Sequence, residues 1–334
     1  MIYEKDIAII GAGPAGLFAV FEAGMMGYSC AVLDSLDEAG GQLTALYPEK
    51  PIYDIPGHPK VLAGELVEKL QEQAAPFHPE YILGNPVESL QKENDIWVLK
   101  TAENEVRAKV VIIAAGGGMF APRKPPLVGL EDFEKTSIFY AVKNKAQYEN
   151  KEIVIAGGGD SAVDWAVELA EKAKHIHVIH RRKDFRAAES TVQQMHALIE
   201  AGKITLHAPY QLSALHGENG TLSGVTLADL DGETKDIPAD KLLCFFGIAP
   251  SLGPVAEWGL QSDGKKIHVN PETMETSEAG ILAVGDIANY PAKISLILVG
   301  FAETAIALKT AQTIIDPDKK FKVVYSTSKG VPTA

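Results

Sequence analysis

The chain has 334 residues, of which 46% are hydrophobic and 22% are charged, and its formal net charge is −13. This length predicts about two domains, and the composition excludes a disordered chain or a fibrous repeat. The acid excess argues against a general binder of nucleic acid or of anionic membranes. Cys30 and Cys244 lie far apart in apolar runs, which excludes a disulphide framework and predicts two buried thiols.

No segment is typical of export or of membrane insertion. The N-terminus lacks a basic region followed by an apolar core, so it does not resemble a signal peptide. No stretch reaches the roughly 18 consecutive apolar residues that a spanning helix needs. We therefore expect a soluble, cytoplasmic protein that associates with neither nucleic acid nor membrane.

The first motif is a strand–turn–helix–strand pattern at residues 7–33. Its turn has the Gly-x-Gly-x-x-Gly spacing, with Gly11, Gly13 and Gly16. These glycines permit a tight turn, a close approach of the backbone to a pyrophosphate and close packing of helix on strand. Asp34, 18 residues beyond Gly16, ends the second strand, where a carboxylate accepts hydrogen bonds from ribose hydroxyls. The pattern predicts a dinucleotide site.

A second pattern of the same kind lies over residues 152–179, and its fingerprint begins 146 residues after the first one. Gly157, Gly159 and Ala162 occupy the fingerprint positions. Alanine is permitted in the last place because that position needs only close packing of the helix on the strand. The chain is therefore predicted to contain two dinucleotide-binding units.

The second unit differs from the first at the end of its second strand. The acidic residue is replaced there by His180, Arg181, Arg182 and Lys183, and Arg186 follows closely. A carboxylate at this place would repel a 2′-phosphate, whereas guanidinium groups bind it. The pattern predicts a preference for NADP over NAD, and the alternative is a solvated basic strand end.

The other predicted elements fill the sequence around the two motifs. They are strands at residues 97–100, 106–109, 110–115, 267–269 and 281–284, and helices at residues 17–26, 163–174 and about 297–315. The strands at 97–100 and 106–109 are expected to form a hairpin.

Two proline-rich or glycine-rich segments, near residues 116–126 and 244–250, read as crossings between domains. We expect an α/β protein with two Rossmann-like, three-layer dinucleotide-binding domains, the second inserted in the first. The first domain is expected over residues 1–118 plus 248–334, with a C-terminal extension at 316–334. The second domain is expected over residues 119–247.

Two different nucleotide sites in one chain suggest a bound flavin in the first and a diffusing nicotinamide in the second. Gly285 and Asp286 follow an apolar strand of the first domain. A carboxylate there can hold the ribityl chain of a flavin, and the alternative is an aspartate that caps a helix.

Together these motifs resemble the thioredoxin-reductase-like flavoproteins. The resembling stretches cover nearly the whole chain and lie at residues 11–16, 110–118, 157–162, 180–187, 242–250 and 279–289. Thioredoxin reductases have a Cys-x-x-Cys pair shortly before the second fingerprint. Tyr140 and Lys143 stand in those places here, so dithiol exchange is excluded.

The C-terminus is similar to that of the thioredoxin-reductase-type ferredoxin–NADP⁺ reductases. In that homodimeric family an aromatic-Ser-Thr extension covers the flavin of the partner subunit, and Tyr325 is the matching aromatic residue. Residues 40–48 resemble the family's flavin-contacting loop, in which Tyr47 would stack on the opposite face of the ring. The alternatives are a packed surface aromatic for Tyr47 and a frayed tail for Tyr325.

The fingerprints and the resemblance together imply two sets of binding residues. The set for FAD is Gly11, Gly13, Ala15, Gly16, Asp34, Gln42, Tyr47, Val87, Phe120, Asp286, Tyr325 and Thr327. The set for NADPH is Gly157, Gly159, Asp160, Ser161, His180, Arg181, Arg182 and Arg186. No metal ligand and no catalytic acid, base or nucleophile is implied, because the flavin performs the chemistry.

The resemblance implies an enzyme that transfers electrons between NADPH and ferredoxin, or flavodoxin, through tightly and non-covalently bound FAD. One alternative is an NADPH-dependent reductase or diaphorase that uses flavodoxin, a quinone or iron chelates. Another is a non-catalytic, nucleotide-sensing protein. Ferredoxins are usually acidic, so docking on this acidic chain requires a local basic patch, either Lys319, Lys320, Lys322 and Lys329 or Arg123 and Lys124.

Overall fold

The computed structural model describes residues 1–134, 136–322, 327 and 330, apart from the side chains of Phe120 and Pro250. The chain divides into two compact units, Met1–Phe120 with Pro250–Ala334 and Ala121–Ala249. The second unit is inserted in the first, and both crossings fall two residues later than expected from the sequence.

The helices and strands are numbered in chain order. The α-helices are α1 (Pro14–Met26), α2 (Gln42–Leu46), α3 (Ala63–Ala74), α4 (Leu130–Phe133), α5 (Asp160–Leu169), α6 (Glu189–Glu200) and α7 (Ile297–Ile315). The strands are β1 (Ile2–Ile10), β2 (Cys30–Leu33), β3 (Pro51–Ile52), β4 (Val61–Leu62), β5 (Glu80–Ile82), β6 (Ser89–Glu93), β7 (Ile96–Lys100), β8 (Glu105–Ile113), β9 (Met119–Pro122), β10 (Ile138–Phe139), β11 (Glu152–Gly157), β12 (His175–Ile179), β13 (Ile204–His207), β14 (Gln211–Glu218), β15 (Thr221–Ala228), β16 (Thr234–Pro238), β17 (Lys241–Phe245), β18 (Ile248–Ser251), β19 (Ile267–His268), β20 (Ile281–Ala283) and β21 (Ala288–Asn289).

The main sheet of the first unit has the order β5-β2-β1-β8-β7-β6, and β20 also pairs with β8. Strands β5, β2, β1, β8 and β20 run parallel to one another, and Ile10 lies level with both Leu33 and Ile113. The carboxyl ends of the three central strands therefore meet at one edge. Open parallel sheets bind their ligands at such an edge.

Two strands that were expected to be separate are one. The predicted strands at residues 106–109 and 110–115 form the single strand β8, which pairs along its whole length with β1. Lys109 is exposed while Val110–Ile113 are buried, because the first half of the strand presents one face to solvent and the second half presents neither. The expected hairpin is present, since β7 and β8 pair antiparallel from Trp97 to Lys100.

The second unit has a parallel sheet of order β10-β17-β11-β12-β13 and a separate antiparallel sheet of β14, β15 and β16, which was not anticipated. The predicted helix at residues 163–174 begins earlier and ends earlier, as α5. After Leu169 the regular bonding pattern changes, because Ala170 N and Lys172 N donate to carbonyl oxygens only three residues earlier, and Lys174 N then donates to Lys151 O. These bonds lead the chain into β12.

The last helix, α7, has the expected bounds. By length and composition it is apolar enough to cross a membrane. In this structure it packs against α1, and Ala307, Leu308 and Ala311 are fully buried in the core of the first unit. Cys30 on β2 and Cys244 on β17 are both buried, as predicted.

Candidate nucleotide-binding sites

A cavity of about 800 Å³ lies at the carboxyl edge of the main sheet in the first unit. It collects most of the residues that the sequence assigns to FAD. Those that line it are Gly11, Gly13, Ala15, Asp34, Gln42, Tyr47, Val87 and Asp286. They come from loops after β1, β2, β5 and β20, which the parallel sheet brings to one edge.

The turn after β1 needs glycine for three different reasons. Gly11 has a φ of +108°, and a Cβ there would lie 2.4 Å from the Ala114 carbonyl oxygen. A Cβ on Gly16 would lie 1.9 Å from the Gly11 carbonyl oxygen, so Gly16 supports the turn from below and does not line the cavity. A Cβ on Gly13 would meet nothing within 4 Å. The backbone at Gly13 therefore faces open space, where a phosphate can approach.

The carboxylate of Asp34 fixes the edge of this turn. Its Oδ2 accepts a hydrogen bond from Ala12 N at 2.7 Å, and its Oδ1 accepts one from Leu36 N at 2.9 Å. Burial raises the pKa of the Asp34 carboxyl, and the neighbouring backbone N–H groups oppose this rise. Each oxygen has lone pairs left, so the group can still accept hydroxyl donors from the cavity.

The loop that carries Gln42 and Tyr47 is packed on the same turn. Gly40 N donates to Ala12 O at 2.8 Å, and a Cβ on Gly41 would lie 3.2 Å from the Gly13 Cα. Tyr47 lines the cavity with its hydroxyl protonated, since burial and the nearby Asp286 raise its pKa. The loop can therefore present a flat, neutral ring to a ligand in the cavity.

The sequence analysis did not identify two residues near Asp286, Glu303 and Lys293, which form an ion pair. Glu303 on α7 is 2% exposed, and its Oε2 accepts a hydrogen bond from Gly285 N at 2.7 Å. Its Oε1 accepts the Tyr290 hydroxyl at 2.6 Å and the ammonium group of Lys293. This buried ion pair fixes the Gly285–Asp286 turn. The available signal was a single acid within the apolar run of α7.

These residues fit a flavin adenine dinucleotide. The turn at Gly13 is open, no side chain caps the N-terminus of α1, and the cavity extends to Tyr47 and Asp286. A helix start of this kind favours phosphate groups.

Three predicted FAD residues stand apart from this set. Phe120 lies on β9, but its side chain is outside the described residues. Tyr325 is also outside the described residues. Thr327 is exposed and is not among the residues that line the cavity.

The second unit repeats the turn with its own glycines. A Cβ on Gly157 would lie 2.6 Å from the Phe245 carbonyl oxygen, and one on Gly159 would meet nothing within 4 Å. Ala162 is fully buried beneath the turn, in agreement with its packing role. Asp160 and Ser161 are exposed at the start of α5. The turn thus offers the same open backbone as Gly13 does in the first unit.

The basic residues follow β12 directly. Arg181, Arg182 and Arg186 are exposed, and their guanidinium groups form no ion pair with the residues that the structure describes. The His180 ring is partly buried, and burial together with these arginines lowers its pKa. Three unpaired guanidinium groups in one loop can bind a phosphate dianion.

The second unit has no dithiol. Tyr140, in one of the two places that the cysteine pair occupies in thioredoxin reductases, donates its hydroxyl to Glu134 Oε1 at 2.6 Å. Cys244 is the unit's single cysteine, and burial raises the pKa of its thiol to about 12. A buried thiol of this kind is unreactive.

Similar proteins identify the family of the chain. Residues 5–310 match the family model described as pyridine nucleotide-disulphide oxidoreductase. The chain is 51% identical to a ferredoxin–NADP reductase from Paramagnetospirillum magneticum, over 99% of this chain and 98% of the relative. It is 50% identical to a ferredoxin–NADP reductase from Anaplasma phagocytophilum, over 98% of both chains.

Solved structures confirm the fold class. Thioredoxin reductase from Lactococcus lactis superposes with a TM-score of 0.77 at 25% identity, over 93% of this chain and 99% of that one. A bacillithiol disulphide reductase from Staphylococcus aureus gives a TM-score of 0.74 at 20% identity, over 95% and 100%. The chain therefore belongs to the pyridine nucleotide–disulphide oxidoreductases and, within them, to the ferredoxin–NADP reductases.

Proposed function

We propose that this FAD-binding, NADPH-dependent oxidoreductase transfers electrons between NADPH and ferredoxin. One observation carries the proposal. The chain retains two phosphate-binding turns but has no cysteine pair in its second unit, so no dithiol relays electrons from the flavin and the flavin itself would reduce the carrier. Relatives of about 50% identity, which are named ferredoxin–NADP reductase, support that choice of carrier.

The residues of the first unit hold the cofactor and exclude water from it. Backbone groups at Gly13 bind the pyrophosphate, and Asp34 accepts hydrogen bonds from the ribose. Asp286, held through Gly285 by Glu303, binds the ribityl chain, and Tyr47 covers one face of the ring. When bound, FAD supplies the conversion between the hydride chemistry of NADPH and the single-electron chemistry of ferredoxin.

The residues of the second unit bind and select NADPH. Backbone groups at Gly157 and Gly159 bind its pyrophosphate, beside Asp160 and Ser161 at the start of α5. Arg181, Arg182 and Arg186, with His180, bind its 2′-phosphate. NADH lacks that phosphate and binds more weakly.

The ion pairs in the structure reduce the number of basic residues that are available to dock ferredoxin. Lys124 pairs with Glu134 at 2.6 Å, and Lys319 lies 3.8 Å from Asp316. Lys320 and Lys322 are exposed and form no ion pair within the described part of the chain. Arg123 is likewise exposed and forms no ion pair with a described residue, and Lys329 lies outside the described residues. Lys320, Lys322 and Arg123 therefore remain the candidates for contact with an acidic carrier. If they dock ferredoxin, its KM rises with ionic strength.

The functional form is a cytoplasmic homodimer, in which Tyr325 of one subunit covers the flavin of the other. This part of the proposal is supported by the resemblance of the C-terminal extension. Light scattering of the purified protein distinguishes a dimer from a monomer. Truncation after residue 322 is expected to alter the flavin absorption spectrum while leaving the first unit folded.

Stopped-flow mixing tests the whole proposal. The purified yellow protein is mixed first with NADPH or NADH and then with oxidised ferredoxin. Fast bleaching by NADPH, slow bleaching by NADH and reoxidation by ferredoxin are expected. If only flavodoxin, a quinone or an iron chelate reoxidises the protein, the carrier is different. If NADPH does not bleach the protein, the oxidoreductase proposal fails.

A further inference from the structure

The loop between β12 and α6, residues 180–188, carries the arginines and is tied to the phosphate-binding turn of its own unit. Arg186 N donates to Gly158 O at 2.7 Å. Ala188 N donates to Asp160 Oδ1 at 2.9 Å. The loop is therefore held at two points near its C-terminal end, and the second point is a side chain.

At the start of the same loop, the imidazole ring of His180 packs on the glycine turn. A Cβ on Gly158 would lie 2.2 Å from the His180 Cε1, so the absence of a side chain at Gly158 makes room for the imidazole. The ring also stacks on Phe185, with centroids 5.1 Å apart, and its Nε2 lies 3.2 Å from Asp184 O. These contacts fold the loop into a compact unit over the turn.

Asp160 is out of place as a ligand for a dinucleotide. It is the first residue of α5, so its carboxylate stands beside the backbone that would bind a pyrophosphate. An acid in that place repels an anion across a short distance. Its bond to Ala188 N gives it a different role, because the donor belongs to the loop that carries Arg186, two residues earlier.

We propose that Asp160 is a positioning residue for the discrimination between NADPH and NADH, and that it acts by anchoring residues 180–188 over the turn. The proposal rests on the assignment of NADPH to the second unit. A loop that is held in place loses less conformational freedom when its guanidinium groups bind the 2′-phosphate. The anchor therefore strengthens binding of the phosphate without touching it.

Two substitutions separate the anchor from the charge. Asp160→Ala removes both the acceptor and the charge, whereas Asp160→Asn keeps an acceptor oxygen and removes only the charge. Glu171→Ala is the matched control, because Glu171 is an exposed acid of the same unit and lies just beyond α5. The FAD-loaded full chain is used throughout, and its thermal unfolding is compared for all variants.

Two measurements are made on each variant. Calorimetry gives the Kd of adenosine 2′,5′-bisphosphate and of AMP, which differ only in the 2′-phosphate. Steady-state assays with ferricyanide give kcat and KM for NADPH and NADH. Asp160→Ala is expected to weaken the bisphosphate about tenfold and AMP less than about twofold, since a hydrogen bond to a charged group is worth about that factor. The effect appears in the KM for NADPH, and Asp160→Asn recovers most of the loss.

Other outcomes overturn the proposal. An unchanged or improved affinity of Asp160→Ala for the bisphosphate means that the carboxylate only repels the ligand. Equal losses for the bisphosphate and AMP mean that it supports the turn in general. Asp160→Asn as weak as Asp160→Ala means that the charge, and not the hydrogen bond, matters. If the wild-type protein shows no preference for NADPH, the assignment of the second unit fails instead.

Discussion

In each unit a carboxylate links the glycine turn after the first strand of the βαβ motif to the end of the second strand, but the carboxylate comes from opposite sides of this link. In the first unit Asp34 follows the second strand and accepts Ala12 N from the turn. In the second unit Asp160 follows the turn and accepts Ala188 N from the loop after the second strand. An acid at the strand end suits ribose hydroxyls and repels a phosphate. The carboxylate that links turn and strand end can thus belong to either of them. When it belongs to the turn, as Asp160 does, the residues at the strand end can be basic and can bind a phosphate.

The largest effect is expected at the buried ion pair between Glu303 and Lys293 in the first unit. The described ion pairs of the second unit include none that is buried to this degree. Glu303→Ala leaves the ammonium group of Lys293 buried without its partner, and we expect a loss of about 3–5 kcal/mol in the free energy of unfolding. FAD is also expected to dissociate more readily, because Gly285 N loses its acceptor. Urea unfolding and the fluorescence of released flavin measure the two effects.

Glu168→Ala in the second unit is the control for this substitution. Glu168 pairs with Lys145 at 2.8 Å, and its side chain is 38% exposed. Such pairs contribute less than about 1 kcal/mol. Equal losses for the two variants would contradict the distinction between a buried and an exposed ion pair.

The next effect separates two glycines of one turn. Gly16→Ala forces a Cβ to within 1.9 Å of the Gly11 carbonyl oxygen, and we expect a loss of about 3 kcal/mol in stability. Gly13→Ala meets no atom within 4 Å and keeps an ordinary φ of −71°, so its stability is expected to change by less than about 0.5 kcal/mol. Its methyl group nevertheless enters the cavity and lowers FAD retention. A Gly13→Ala variant that keeps FAD as well as the wild type would remove the turn from the binding site.

Selection of the ligand is tested at the strand end of the second unit. Replacing Arg181 and Arg182 together by alanine is expected to raise the KM for NADPH roughly 30- to 100-fold, or about 2–3 kcal/mol. The KM for NADH is expected to change little, because NADH has no 2′-phosphate. Arg123→Ala removes a cation elsewhere in the unit and serves as the control. A parallel rise in both KM values would show that the arginines support the fold.

The smallest effect is a dependence of stability on pH. Burial, with Lys235 and two neighbouring histidines, lowers the pKa of His207 to about 4, and its Nε2 lies 3.1 Å from His177 Nδ1. The neutral ring is favoured in the folded state, so this stability is present above pH 6.5 and is lost as the pH falls from 6.5 towards 4. Between pH 7.5 and pH 5.5 we expect a loss of about 1 kcal/mol in the free energy of unfolding.

Thermal unfolding at pH 7.5 and 5.5 measures this contribution. His207→Gln is expected to reduce the difference in Tm between the two values. His196→Gln on α6 is the control, because His196 is exposed. An unchanged difference in the His207→Gln variant would contradict this origin.

Local patterns predicted the elements whose signals are local. The apolar runs and glycine spacing identified both βαβ motifs, and the apolar run of α7 gave its bounds correctly. The early end of α5 was missed, because hydrogen bonds from the turn to Lys151 override the helix-forming residues after Leu169. The sheet of β14, β15 and β16 was missed because its strands are short or partly exposed and lie between stronger patterns.

The candidate site residues were likewise predicted only where their signal is local in the sequence. The sequence identified residues whose type alone suggests a role, such as Gly13 and Asp34. It assigned Asp160 to the nucleotide, and this stays a prediction; the hydrogen bond of Asp160 with Ala188 N was not anticipated, since a contact with a residue 28 positions away leaves no local signal. The role of Glu303 likewise depends on Gly285, 18 positions earlier, and on Lys293, with which it shares a buried environment.

Glu303 and the residues that it holds lie near the end of the chain, so they are synthesised after the whole of the second unit. The second unit ends at Ala249, whereas β20, Asp286 and α7 are all translated later. A ribosome therefore releases every residue of the inserted unit before it has made the strand and helix that complete the first. Domains fold as they emerge, so the second unit is able to fold first. The cavity of the first unit, in contrast, is complete only when nearly the whole chain has been made.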